Sequence, residues 1–488
     1  MEIVIPDTNI TAIMPQVILT IGACVTLLMG VFTPHLRKWA GYVAFATCVI
    51  AFLDVMTMWD TKMVAFSGMI TLNYYTHAFS IVILASAALV CLVTYDDVSE
   101  HKVGEFFSVL LMSTTGMLIM VASMNLMVIF LGLEIMSIGL YILISINRSK
   151  IRSLEAGMKY FLLGAFASGF FLYGIALTYG ATGSFDLARI ANYLSMNNLL
   201  GDPLALAGTS LLIIGFGFKV ALVPFHMWSP DVYQGSPAPV TAFIASGPKV
   251  AAFAAFARVF IDTFNTLAIE WSEVLFWICV ISMIGGNLMA LVQRDIKRML
   301  AFSSISHAGY IIMAILAGPK LMDSNPNLAM DSILYYVMVY SLMNICAFTI
   351  IHVFETREGR NLKVDDFAGF GFRYPLLSVA MSIAMLSMAG FPLTGGFIGK
   401  LRVFSAAVDA GYVALTIVAV ITSTISVYYY LGVMVKMYFT DAENPLEDIY
   451  LSKSTRTALA LSSAGLVLLG VIPTVIADVV RTVFQAFV

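Results

Sequence analysis

Apolar runs of about 20 residues, long enough to cross a bilayer core of about 30 Å, recur along the whole chain with short polar turns between them. They predict fourteen membrane helices, at approximately 9–32, 39–57, 74–94, 106–122, 125–147, 155–180, 204–225, 239–262, 271–292, 299–318, 329–354, 374–408, 412–438 and 457–476. The expected fold class is an all-α polytopic membrane protein. The longest acidic loop, 439–456 with Pro445, is too short for a soluble domain.

Charge placement orients these helices. The odd-numbered loops hold fifteen Lys and Arg, the even-numbered ones only Lys62, Arg189 and Lys320. The densest groups are Arg148, Lys150 and Arg152, then Arg294, Lys297 and Arg298, then Arg357, Arg360, Lys363 and Arg373. Basic loops stay on the cytoplasmic side, so both termini are expected on the periplasmic side of a bacterial inner membrane. The clean alternation supports the helix count, because one missed helix scrambles it.

Composition agrees. Of 488 residues 60% are hydrophobic and 11% charged, against roughly 25% charged in a soluble domain. The net charge of −3 argues against a nucleic-acid partner; the lipid bilayer is the expected surrounding. Cys24, Cys48, Cys91, Cys279 and Cys346 lie in apolar runs without a CxxC pair. They read as small buried side chains rather than a disulfide, metal or iron–sulfur framework. The first run lacks a basic n-region and an evident cleavage site, so it is expected to be a retained helix and not a signal peptide.

The informative residues are ionisable ones in mid-helix. Glu134 sits in LGLEIMSIGL, Lys219 in LLIIGFGFKVALVPFH, Lys249 in FIASGPKVAAFAAF and Lys400 in GFPLTGGFIGKLRVF. An acid or lysine at a helix centre costs about 2.5–3.5 kcal/mol on insertion scales. Such groups are expected to face a bundle interior or a wet cavity, and proton transfer suits one carboxylate and three lysines. The plainer reading is structural ion pairing or snorkelling to the interface, which is all that Lys159 and Arg402, near helix ends, need to do.

Helix breaks accompany two of the lysines. Pro224 follows Lys219 by five residues, and Gly390, Pro392, Gly395 and Gly396 interrupt helix twelve before Lys400. Proline removes a backbone donor, and irregular backbone at membrane depth survives only inside protein or beside a wet cavity. Broken helices in corresponding positions point to a transporter's ion site, although a simple kink is the alternative. Helices seven and twelve are five apart, which suggests that helices 4–8 and 9–13 are two equivalent five-helix units. An odd number of spans makes the second inverted. The corresponding division is 1–105 for helices one to three, 106–262 and 263–438 for the repeats, and 439–488 for the last loop and helix fourteen. Helix ten, the counterpart of helix five, carries Ser303, Ser306 and His307. His307 can relay a proton or be a satisfied structural histidine.

The run KVALVPFHMWSPDVYQGSPAPVTAFIASGPKVAAF (219–253) resembles the helix-seven-to-eight signature of the N-type subunits of NADH:quinone oxidoreductase, respiratory complex I. RDIKRMLAFSSISHAGYIIM (294–313) and GFPLTGGFIGKLRVF (390–404) resemble signatures of the wider antiporter-like family. The resemblance covers helices four to thirteen. It implies a translocase subunit that couples NADH-to-quinone electron transfer to proton pumping. Glu134 would pair with Lys219, Lys249 would bridge two half-channels and Lys400 would end the path. The M type carries glutamate where Lys400 stands, and the L type has extra C-terminal helices for which a chain ending at Val488 is expected to have no room. The implied partners are an M-type neighbour and small membrane subunits. NADH, FMN, iron–sulfur clusters and quinone would belong to the rest of the complex, with no cofactor in this chain. A Mrp-type cation/proton antiporter subunit is the alternative, and a quinone-binding anchor that moves no ions is a third.

Overall fold

The computed structural model describes residues 9–32, 34–94, 102–197, 201–441 and 451–473. The last residues expected in helix fourteen, half of the acidic 439–456 loop, Pro445 included, and both termini lie outside them. Among the described residues the membrane helices are Ile10–Phe32, His35–Thr57, Tyr74–Thr94, Val103–Ala122, Leu126–Ile144, Ile151–Thr182, Pro203–Val220, Ala238–Thr263, Asn265–Leu291, Ile296–Leu321, Pro326–Glu358, Val413–Phe439 and Lys453–Val471. Helix twelve precedes the last two, split into Pro375–Ala389 and Gly395–Asp409. With helix twelve counted once this gives the expected fourteen.

Burial separates the core from the rim. The most apolar stretches of helices eight and ten are 100% buried, whereas those of helices six and thirteen are 33% buried. Helices eight and ten therefore form the axis of the bundle, and six and thirteen face outward. The hairpins four–five and nine–ten pack backbone to backbone. A Cβ at Gly116 would lie 2.6 Å from the Gly132 oxygen, and one at Gly286 2.9 Å from the Phe302 oxygen. Without a hydrophobic driving force between helices in lipid, such close approach of small residues is what holds them.

The two repeats carry the same backbone clasp. Asn125 caps the start of helix five, its side chain accepting from the Met127 and Val128 amides. Leu126 N–H then donates to Phe185 O and Leu187 N–H to Met124 O, both at 2.9 Å. Asp295 caps helix ten by accepting from Arg298 N–H. There Ile296 N–H donates to Leu362 O at 3.1 Å and Val364 N–H to Arg294 O at 2.8 Å. Five spans separate the two clasps, so they close opposite faces of the molecule, as an inverted repeat requires. Counted from the two caps, Glu134 corresponds to Ser304 and Ser137 to His307.

Helices seven and twelve break by one device. Ala221 (φ 62°) and Gly390 (φ 84°) adopt the left-handed conformation. The following amides close back five residues, Leu222 N–H to Gly217 O at 2.8 Å and Phe391 N–H to Leu386 O at 2.9 Å, a helix-ending motif. Helix seven therefore stops at Val220 rather than running to 225. Past cis-Pro224 it yields to a short helix, Trp228–Gly235. Helix eight, expected to be unbroken, is also interrupted. Ser246 (φ −110°, ψ −97°) separates Ala238–Ala245 from Gly247–Ala257, and a π-turn follows at Arg258–Thr263. The sixth loop holds a further short helix, Leu187–Asn197, and the second a hairpin of Met63–Ala65 with Ile70–Leu72.

Overpacking a close-packed site costs about 1–3 kcal/mol. Gly132→Val is expected to lower the thermal midpoint of the purified complex by several degrees, read by a dye-binding melt, because the new side chain meets the backbone of helix four.

Candidate functional site

The three lysines are buried at membrane depth, Lys219 at 6%, Lys249 at 2% and Lys400 at 5% exposure. None of them forms an ion pair among the described residues. Each amine is held instead by hydroxyls or freed backbone carbonyls, and the helix breaks supply or cap the latter.

Lys219 lies in the last turn of the first part of helix seven. A cation there faces the negative end of the helix dipole. Its Nζ donates to Ser137 Oγ at 2.6 Å, and the rings of Tyr141 and Tyr160 stand 5.7 and 5.4 Å away. Trp228 Nε1 donates to the carbonyl of Phe218 at 2.8 Å, which also accepts from the Ala221 amide of the break at 3.1 Å. Glu134 is one turn before Ser137 on helix five and half-buried. It accepts a hydrogen bond from Ser168 of helix six. The carboxylate and the amine are thus each bonded to a serine rather than to one another.

Lys249 sits in the first turn after the break at Ser246. A cation there opposes the positive end of the helix dipole. Compensation comes from helix ten, where Nζ bonds to Ser304 Oγ and lies 3.4 Å from Ser304 O, and from the Tyr340 ring at 5.5 Å. The same Ser304 hydroxyl is 3.2 Å from the Tyr233 hydroxyl.

His307, 2% exposed, stands between helices ten, eleven and thirteen. Its Nδ1 is 2.7 Å from the Tyr336 hydroxyl and its Nε2 3.0 Å from that of Tyr430. Tyr430 also bonds Ser303. Lys400 reaches back across the break of helix twelve. Its Nζ donates to Met388 O and Ala389 O, both at 2.9 Å, and to Ser423 Oγ at 2.8 Å. A Cβ on residue 390 would lie 2.9 Å from Lys400 Cδ, so Gly390 both turns the chain and leaves room for the lysine. Pro392, Gly395 and Gly396 complete the break. The Gly396 amide donates to Ser387 Oγ at 3.0 Å. Tyr310 lies 5.4 Å below the Lys400 amine and is tied through Asn287 to Tyr429.

Lys249 and His307 thus lie on the fully buried helices eight and ten, Lys219 and Lys400 are buried on helices seven and twelve, and Glu134 is half-buried on helix five. The hydroxyls of Ser137, Ser304, Tyr336, Tyr430 and Ser423 touch these groups, Tyr233 reaches Lys249 only through Ser304, and none of them stood out in the sequence. Hydroxyls accept and donate, so each can hand a proton on without a net charge of its own. Lys159 lies at the basic surface, 2.8 Å from Asp231, and Arg402 packs its guanidinium 4.8 Å from the Tyr335 ring.

Fold and site define a proton-handling, antiporter-like membrane subunit. A family described as NADH:quinone oxidoreductase/Mrp antiporter, TM, matches residues 123–426. The N subunit of the NADH-quinone oxidoreductase of Trichlorobacter lovleyi is 43% identical over 96% of this chain and 95% of its own length. A chain of respiratory complex I from Thermus thermophilus, solved with bound aureothin, superposes with a TM-score of 0.80 at 32% identity, covering 94% of this chain and 97% of that one. A chain of the Mrp complex from Dietzia shares the fold, with a TM-score of 0.84 at 18% identity over 98% of this chain and 97% of that one. The chain belongs to the antiporter-like membrane subunits of NADH:quinone oxidoreductases, and within them to the N subunits.

Ser137→Ala leaves the Lys219 amine without its hydroxyl partner while changing little volume. It is expected to slow NADH-driven proton pumping in vesicles about threefold to tenfold, with quinone reductase activity falling in step; an unchanged rate places Ser137 outside the path.

Proposed function

We propose that Glu134, Lys219, Lys249, His307 and Lys400 form the proton path by which this N-type subunit couples NADH-to-quinone electron transfer to pumping. The observation that carries this reading is the way the lysines are held. Another buried lysine of this chain, Lys297, is given an acid, Glu355, at 2.9 Å. Lys219, Lys249 and Lys400 receive serines and carbonyls instead. Neutral partners let an amine exist with or without its proton, which a carrier needs and a structural cation does not. Glu134, one turn from Ser137, is placed to bias the charge on Lys219 by electrostatic attraction.

The redox groups, NADH, FMN, iron–sulfur clusters and quinone, belong to the rest of the complex, and this chain contributes no redox chemistry. Its partners are an M-type neighbour and small membrane subunits. The outward-facing helices six and thirteen offer surfaces for them and for lipid. The basic face is cytoplasmic, in a bacterial inner membrane, and both termini are periplasmic.

Lys219→Ala is expected to abolish NADH-driven pumping, by tenfold or more, and coupled quinone reductase activity, with the complex intact on native gels. Unchanged pumping would make Lys219 structural and the assignment wrong. For the topology, alkaline phosphatase fused after Asn325 is expected to be active and after Arg360 inactive; the reverse pattern inverts the orientation.

A further inference from the structure

The basic face is indented by a cleft of about 480 Å³ lined by residues that include Lys102, Asn147, Pro237, His352 and Glu355. Glu355 forms part of its inner wall, at the end of helix eleven. One carboxylate oxygen receives Lys297 Nζ at 2.9 Å, with the two side chains 12% and 2% exposed. The other, Oε1, is buried and has no hydrogen-bond partner among the described residues. Lys297 also donates to Ser236 O at 3.0 Å, at the start of helix eight. A buried ion pair gains little stability over apolar packing, so its position calls for another reason.

That position is directly above Lys249. Lys297 and Ser304 are seven residues apart, two turns along the same face of helix ten, about 10 Å at the α-helical rise. Ser304 is the hydroxyl that holds Lys249. Between lie Ser236 and Thr241, their hydroxyls 2.7 Å apart, Thr241 reaching Tyr233 O at 3.3 Å, and the Tyr233 hydroxyl 3.2 Å from Ser304. The charged or titratable groups around Glu355 are Lys297, His352, which bonds Thr356, Asp295 at the start of helix ten, and Lys102 and Lys150 across the cleft.

We propose that the Glu355–Lys297 pair is the entrance through which protons from the basic face reach Lys249. Glu355 takes a proton from water in the cleft, which neutralises it and loosens its hold on Lys297. The proton then passes inward by way of the Ser236–Thr241 and Tyr233–Ser304 hydroxyl pairs, with water carrying it past the Ser236 and Tyr233 carbonyls, to the neutral Lys249 amine. Glu355 is left ionised and the pair re-forms. Lys297 is a positioning residue whose fixed charge repels other cations from this route. This rests on the lysine row being a proton path.

The test compares Glu355→Gln, Glu355→Asp and Asn147→Trp in assembled complex in vesicles, beside Lys219→Ala. Glutamine keeps the shape but cannot carry a proton, and is expected to cut NADH-driven pumping at least fivefold. Aspartate is expected to keep at least half. The tryptophan narrows the cleft mouth without touching the pair, and is expected to halve pumping or worse. Wild-type pumping in Glu355→Gln, with Lys219→Ala inactive, overturns the entrance but leaves the lysine row standing. Equal loss in the glutamine and aspartate variants also overturns it, since the carboxylate is then an anchor. If Glu355→Gln does not assemble, Asn147→Trp decides, and wild-type pumping there refutes the proposal. Full pumping in Lys219→Ala removes the lysine row and this entrance with it.

Discussion

The structure depends on the cost of putting an ammonium group where no water can reach it. At a bilayer centre that cost is about 2.5–3.5 kcal/mol per lysine on insertion scales, and this chain carries three such groups in its core. The helix breaks answer it. Freed carbonyls at Met388 and Ala389 hold Lys400. The end of the first part of helix seven places Lys219 against a favourable dipole. Lys249, on the unfavourable end of a helix, leans on Ser304 of the neighbouring span. Breaks are costly in lipid unless protein or water meets them; the one at Ser246 is fully buried, whereas Pro224, Phe391, Pro392 and Leu393 in the other two are exposed at the surface of this chain.

The inverted repeat explains why the clasps and the broken helices come in pairs. The same clasp closes each repeat from opposite faces, at Leu126–Phe185 and at Ile296–Leu362. The same left-handed turn then ends the first part of each broken helix, at Ala221 and Gly390. The lysines do not obey the repeat. Lys219 precedes its turn, whereas Lys400 follows its own and folds back to it. Both amines come to lie beside a helix end by different routes.

The fold was legible because membrane spans announce themselves by length and by the alternation of basic loops. The breaks at Pro224 and Gly390–Gly396 were legible because proline and clustered glycine have few other uses inside a span. The break at Ser246 was not, since Pro248 in the first turn of a helix needs no partner for its missing N–H and the motif resembles an ordinary start. Charged candidates stood out against apolar neighbours, so Glu134, Lys219, Lys249 and Lys400 could be named. Their hydroxyl partners could not. The chain has 21 tyrosines, and only packing shows that Tyr336 and Tyr430 bond the His307 nitrogens while Tyr310 and Tyr340 pack on its ring. The direct Glu134–Lys219 contact implied by resemblance is replaced by two serine contacts, a difference of side-chain placement that spacing along two helices does not resolve.

Lys249 joins the two repeats, so the account stands or falls on it. The most direct measurement is the number of protons moved per electron in vesicles carrying Lys249→Met, which keeps the bulk and removes the charge. A path through this residue predicts a ratio that falls below that of the unaltered complex, together with slowed turnover. An unaltered ratio at normal turnover, with the complex fully assembled, would contradict it.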